Sequence, residues 1–168
     1  MIAFRDATLA DAAALATLGA DSFTSTFGDL YKAADLALFL ANHTPAAWSK
    51  ELGSPAFAVR VAEAEDAMIG YAKLGPAQLP FTPDRGAVEL RQLYVLRPWQ
   101  SQKVGAELIE WVIATARNRD ASALFLSVFT DNRGARRFYA RRGFEPVGEY
   151  KFMVGTHADE DIVMRLAL

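Results

Sequence analysis

Residues 88–106 read VELRQLYVLRPWQSQKVGA, and the change of pattern inside this stretch decides the fold. Residues 88–96 are rich in branched and aromatic side chains and predict a strand that stops before Pro98, since proline supplies no ladder N–H. The chain then runs through Gln100-Ser101-Gln102-Lys103-Val104-Gly105-Ala106 into a segment with Val104, Leu108, Ile109, Val112, Ile113 and Ala116 on one helical face. The first N–H groups of that helix have no internal partner and sit at the positive end of its dipole. A strand, a short loop and a helix in this order form a seat for a phosphate or pyrophosphate. Taken alone, the same stretch is equally an ordinary strand-to-helix connection.

Outward from the junction, Leu124-Phe125-Leu126-Ser127-Val128-Phe129 is apolar on both faces and predicts a buried interior strand. Asp131-Asn132 caps a further helix, which Gly143 ends as an αL terminator. Residues 144–154 and 162–166 predict the last two strands, with His157 in the loop between them. Upstream, residues 57–62 and 68–74 read as a hairpin around residues 63–66, followed by a loop over 75–86 with three prolines. Residues 2–5 predict a short strand. Thr8 is the expected N-cap of a helix carrying Ala12, Leu15, Ala16 and Leu18 on toward Phe23 and Phe27. Residues 33–41 predict a second helix, and Pro45 suits the first turn of a third. The strand-helix-strand unit demands at least one parallel pairing. The expected architecture is a single α/β domain over residues 1–168.

Composition narrows the chemistry. The chain has 168 residues, 52% hydrophobic and 23% charged, in the range of globular domains. No apolar run approaches the roughly 20 residues of a membrane helix, and the N-terminus has no basic-then-apolar leader. The absence of cysteine removes thiolate nucleophiles, disulfides and cysteine metal sites, and suits a reducing cytoplasm. His43 and His157, far apart in sequence, give no metal-ligand spacing. A net charge of −2 opposes general nucleic-acid binding and is compatible with a cationic substrate.

A second stretch sharpens the first. Residues 132–144 read NRGARRFYARRGF, which matches N-x-x-A-x-x-F-Y-x-x-x-G-F at every fixed position. This resembles the late helix of the GNAT superfamily of acyl-CoA-dependent N-acetyltransferases. The run from Gln100 to Gly105 is similar to that family's cofactor loop, Q/R-x-x-G-x-G/A. The departures are Lys103, where glycine is usual, and Ser101, where glycine is common. If residue 103 has a helical φ, its Cβ costs little and its N–H stays available, the lysine then pointing away or adding a cation near the phosphate; cofactor binding is expected to survive the change. The resemblance implies an α/β, GNAT-like fold with a central mixed sheet of six to seven strands flanked by helices.

The resemblance also implies acetyl-CoA as cosubstrate, no metal, and a set of site residues. The segment Leu93-Tyr94-Val95 lies along the pantetheine arm, with backbone groups of Leu93 and Val95 bonding it and polarising the acetyl carbonyl. Gln100, Ser101, Gln102, Lys103, Val104, Gly105 and Ala106 cradle the pyrophosphate, and Asn132 hydrogen-bonds the cofactor besides capping its helix. Tyr139 protonates the leaving sulfur; without the motif it reads as a core aromatic beside Phe138. Glu89 accepts the amine's proton, or a relay of ordered waters does so, and on its own Glu89 reads as an ion-pair partner of Arg91. Arg133, Arg136, Arg137, Arg141 and Arg142 read mainly as a solvated face, with one or two of them, or Lys103, reaching the 3′-phosphate.

Ser22 to Phe27, Gly70 to Leu74, Phe152 to Gly155 and Asp161 to Met164 look like the PaiA-type spermidine/spermine acetyltransferases. That implies a polyamine acceptor held by carboxylates, with Asp21, Asp29, Glu89, Asp159 and Glu160 as candidates by region. Three rivals stay open. A protein or peptide N-acetyltransferase needs an open groove. A non-catalytic CoA-binding regulatory domain needs neither Tyr139 nor a base. A nucleic-acid module on the arginine helix runs against the acidic balance. The expected partner is a small-molecule amine, with no nucleic acid and no membrane, and the expected assembly is a homodimer.

Overall fold

A computed structural model describes residues 1–79 and 84–168. The order of elements is β1 (Ile2–Asp6), α1 (Ala12–Phe27), α2 (Ala33–Leu40), α3 (Pro45–Leu52), β2 (Ala58–Ala64), β3 (Ala67–Pro76) and β4 (Val88–Val95). Then come α4 (Val104–Asn118), β5 (Ala123–Phe129), α5 (Arg133–Ala140), β6 (Glu145–Val154) and β7 (His157–Ala167). The strands form one mixed sheet in the order β1-β2-β3-β4-β5-β7-β6. The expected loop over 75–86 begins later, because β3 runs on to Pro76, and residues 80–83 lie outside the described part.

The parallel pair demanded by the strand-helix-strand unit is β4 with β5. It is bonded only at Val88–Leu124 and Glu89–Phe125, after which the two strands part. Immediately beyond, the β3–β4 register jumps from Leu74↔Leu90 to Lys73↔Gln92, leaving Arg91 as an extra residue on β4. A bulge bends its strand and increases the local twist, so β4 turns away from β5 where the ladder stops.

One face of the sheet is covered by α4, which sinks Val104, Leu108, Ile109 and Val112 against Leu90 of β4 and Leu124, Leu126 and Val128 of β5. Burying each aliphatic side chain of this size is worth about 2 kcal/mol. The opposite face carries α1 and α3, whose Leu15, Ala16 and Trp48 pack on Val59, Val61 and Tyr71. The two layers leave the gap between β4 and β5 open at its wide end.

Three details differ from the sequence reading. Thr8 caps a single 3-10 turn, Leu9–Asp11, and α1 begins only at Ala12. Asp11 accepts from the Thr8 N–H at 2.7 Å and from Arg5 at 2.9 Å, and the guanidinium holds its carboxyl down at about 2. The helix before Gly143 ends at Ala140, and Gly143, at φ +91°, completes the turn that lets the Phe144 N–H reach the Tyr139 carbonyl at 3.3 Å. Finally, β7 starts at His157 and not at residue 162. Its inward positions 159 and 161 carry aspartates, which hide the alternation of apolar residues that signals a strand.

Candidate active site

The parted strands frame a cavity of about 500 Å³ that reaches from Gln100 and Asn132 at one end to Gln78 and Tyr150 at the other. Along β4 the amide groups alternate between its two neighbours. The Leu96 N–H bonds the Ile69 carbonyl of β3 at 2.9 Å, so the amide groups of Val95 and Leu93 face the gap left by β5. The Val95 carbonyl confirms that direction by accepting from Gln100 Nε2 at 3.0 Å. Tyr94 is turned the other way: its carbonyl points at Gly70 of β3, and its side chain lines the cavity, where burial pushes the phenol up to about 12.

Below the gap lies the polar loop. Gln100, Ser101, Lys103, Gly105 and Ala106 border a second hollow with Phe138, Arg141 and Arg142. The Glu107 N–H bonds the Lys103 carbonyl at 3.1 Å, which leaves the N–H groups of Val104, Gly105 and Ala106 as the unpartnered first turn of α4. At Lys103 the condition of a helical φ is not met: its φ is +63° and its ψ 6°, in the left-handed region. The family's usual glycine at this position is thus a conformational requirement, which the lysine meets at a cost of about 1.5 kcal/mol. A Cβ on Gly105 meets only ordinary contacts, 3.7 Å from Phe138 and 4.0 Å from Leu93. Nothing in the protein itself requires glycine there, as it does where a ligand approaches the backbone. Gln102 turns back to the Pro98 carbonyl at 3.3 Å, and Val104 is fully buried and anchors the helix start.

The basic helix divides. Arg133, Arg137 and Arg141 are exposed, whereas Arg136 bonds the Thr130 carbonyl at 3.0 Å. Arg142 lies 4.0 Å over the Phe138 ring and 3.3 Å from Glu110. Asn132 caps α5 by accepting from the Ala135 N–H at 3.2 Å, and it also lines the cavity. Tyr139, two turns further on, is buried between Phe138 and Phe144 and borders the cavity from the α4 side. Burial pushes its phenol well above the usual range, so the hydroxyl keeps its proton at neutral pH.

On the opposite face stand the carboxylates. Glu89 is 7% exposed and accepts from the Gln78 N–H at 2.7 Å, and Arg91 is 3.9 Å from its other oxygen. Burial outweighs these contacts and raises its pKa. Strand register puts Asp161 opposite Phe129 and Tyr150, and Asp159 opposite Phe152, with both aspartates buried and facing the cavity. Asp159 accepts from the Tyr31 hydroxyl and lies 3.2 Å from His157 Nε2, so His157 belongs to β7 and not to a loop. Of the regional candidates, Asp21, Asp29 and Glu160 are exposed and do not line the cavity, and Asp161, which sequence reasoning passed over, takes their place.

Aromatic rings roof this end. Phe23 packs on Phe27, Tyr31 and Phe39, and Phe39 meets Phe152 of β6 at 5.6 Å. The roof is tied down where Asp35 of α2 accepts from the Thr156 N–H at 2.8 Å and from its hydroxyl at 2.6 Å. At the rim, Lys73 is buried against Glu51 at 2.5 Å and lies 4.3 Å over Trp48. Among the described residues no cluster of His, Cys, Asp and Glu is arranged to hold a metal ion, and no helix is long and apolar enough to cross a membrane.

Comparison with known proteins agrees with this geometry. The chain is 32% identical over 157 residues to an uncharacterized N-acetyltransferase of Mycobacterium tuberculosis, covering 93% of this chain and 97% of that one. Its fold is similar to that of the PaiA N-acetyltransferase of Thermoplasma acidophilum solved with coenzyme A, at TM-score 0.79, 17% identity and coverage of 100% and 99%. A Salmonella typhimurium protein solved with its cofactor acetyl-CoA gives TM-score 0.75 at 22% identity, covering 100% of this chain and 94% of that one. Residues 20–144 match the Acetyltransferase (GNAT) family. The chain belongs to that family of acyl-CoA-dependent N-acetyltransferases.

Proposed function

We propose that this protein, acting as one catalytic domain over residues 1–168, transfers the acetyl group of acetyl-CoA to a primary amine of a small aliphatic polyamine. The observation that carries the reading is the division of one cavity. Its α4 side offers the β4 amide groups and Tyr139 and meets, at Gln100, the hollow of the helix N-terminus, and its opposite side offers Glu89, Asp159 and Asp161 under an aromatic roof. The first set suits a phosphorylated thioester and the second a cationic chain with apolar methylene segments.

The residues fit coenzyme A by their chemistry. The N–H groups of Val104, Gly105 and Ala106 receive the pyrophosphate, and Lys103 and Arg141 stand beside that seat. Leu93 and Val95 turn their amide groups toward the pantetheine arm, with Asn132 across the gap. Acetyl-CoA supplies an activated carbonyl and a sulfur leaving group. The amine nitrogen must shed a proton, attack that carbonyl and shed a second proton as the carbon–sulfur bond breaks. Glu89, directly or through a water, accepts a proton from nitrogen. Tyr139 gives its proton to the departing sulfur and regains one from the proton released by the amide nitrogen. The Leu93 N–H stabilises the developing oxyanion.

The tied-down roof favours a small acceptor over a protein tail, which needs an open groove. The test is mass spectrometry of polyamines, amino acids and peptides incubated together with acetyl-CoA and the protein. Acetylated polyamine is the expected product. Acetylated peptide alone points to a protein acetyltransferase, and no product despite CoA binding rejects the catalytic reading.

A further inference from the structure

Each carboxylate facing the acceptor end has a different set of partners. Glu89 is committed to the Gln78 amide, and Asp159 to Tyr31 and His157. Asp161 is 6% exposed, and among the described residues no ion pair includes it. A buried carboxylate without a cation is costly, and such groups persist where they serve a site. Its level in the sheet is also informative. Glu89 is level with Phe125 across the parallel pair, and Asp161 pairs with Phe129, four residues further along β5. Leu93, whose amide faces the gap, likewise lies beyond Glu89 on β4, and Leu93, Tyr139 and Asp161 line the same cavity. Asp161 therefore stands further along the sheet than Glu89, toward the end of the cavity where the Leu93 amide faces the gap.

Resting on the amine-acetylation reading above, we propose that Asp161 is a catalytic base: it removes the first proton from the incoming ammonium ion. The ammonium N–H proton passes to the Asp161 carboxylate, giving a neutral amine and a neutral carboxyl. The freed lone pair attacks the thioester carbon. The carbon–sulfur bond breaks as sulfur takes the Tyr139 proton, and the second nitrogen proton passes by way of Glu89 or water to Tyr139, restoring its hydroxyl. Asp161 returns its proton to solvent after the product leaves, so one proton is released per turnover.

The surroundings support this role. Burial, with Asp159 two residues away on the same face, raises the Asp161 carboxyl to about 7, and the Ser127 hydroxyl beside it opposes the rise. Tyr150 from β6, Glu89 and Tyr94 from β4, Tyr139 from α5 and Tyr31 after α1 are the other acidic groups on this cavity. Its basic groups are Lys73 from β3, committed to Glu51, Arg91 from β4, 3.9 Å from Glu89, and His43 after α2, whose ring bonds the Phe39 carbonyl at 3.1 Å. None of these cations pairs with Asp161, so the ammonium ion of the acceptor is its natural partner.

The test compares wild type with Asp161→Asn on ethylamine, a cation at neutral pH, and trifluoroethylamine, which is uncharged there. The wild-type rate with ethylamine should rise through about pH 7, and in the variant it should fall about 100-fold at neutral pH with that rise abolished. Turnover of trifluoroethylamine should be retained. Equal loss with both amines, or a raised KM with unchanged kcat, overturns the proposal. A second measurement needs no acceptor: carbon-13 NMR of aspartate side chains in the wild type, with Ser127→Ala used to move the Asp161 signal. A carboxyl titrating near neutrality, and higher in Ser127→Ala, supports the proposal; titration in the ordinary carboxylate range overturns it. Failure of the acetylation reading shows separately, as a wild-type protein that acetylates nothing.

Discussion

Replacing Lys103 with glycine should make the protein more stable while removing a charge from its cofactor loop. Lys103 is exposed, sits at φ +63°, and among the described residues takes part in no ion pair. A side chain in the left-handed region costs about 1.5 kcal/mol, which glycine escapes. Glycine's greater freedom in the unfolded chain returns about 0.5 kcal/mol of that. The net gain for Lys103→Gly is about 1 kcal/mol, or about 3 °C in Tm for a chain of this size. Lys103→Ala keeps the strain and loses the charge, so it should melt with the wild type. Calorimetric melting of the three proteins, with urea titration as a check, reads this difference. Both variants should weaken CoA binding less than about tenfold at low salt, because an exposed cation contributes at most about 1 kcal/mol. A glycine variant no more stable than the alanine variant refutes the assignment of left-handed strain to Lys103.

The other predictions concern chemistry and burial. Tyr139→Phe should lower kcat about 100-fold and leave CoA affinity intact, and unchanged turnover rejects the hydroxyl as proton donor. Glu89→Gln should lower kcat by a comparable factor of about 100 with little effect on the KM for acetyl-CoA; full activity assigns its proton transfer to water. Glu51→Ala strands the buried Lys73 ammonium and should destabilise the fold by about 3 kcal/mol in urea unfolding. The double variant Glu51→Ala with Lys73→Met should recover most of that loss, and failure to recover rejects the burial argument.

What the sequence made legible follows from periodicity. The strand into Pro98 and the helix face from Val104 to Ala116 are local patterns, and the sheet placed them as expected. The spacing in residues 132–144 likewise carried Tyr139 to the cavity, since one helix of fixed pitch positions Asn132, Ala135 and Tyr139 on it. Other features depend on contacts that a linear pattern does not encode. Asp159 and Asp161 break the apolar alternation of β7, and only the pairing with Phe129, Tyr150 and Phe152 shows that they point inward. Lys73 sits in an apolar run, and its burial rests on Glu51, 22 residues earlier, which meets it and which no local pattern links to it. The left-handed turn at Lys103 was hidden for a related reason: lysine gives no sign of positive φ, and only the glycine usual at that position does.

A crystal structure of the protein with coenzyme A and a short aliphatic diamine tests the central claim most directly. The account predicts the pyrophosphate on the N–H groups of Val104, Gly105 and Ala106 and the pantetheine arm between Leu93 and Asn132. It also predicts one amine nitrogen between the sulfur and Asp161, with Tyr139 within hydrogen-bond reach of the sulfur. A cofactor arm lying outside the gap between β4 and β5, or a diamine bound away from Glu89, Asp159 and Asp161, would contradict it.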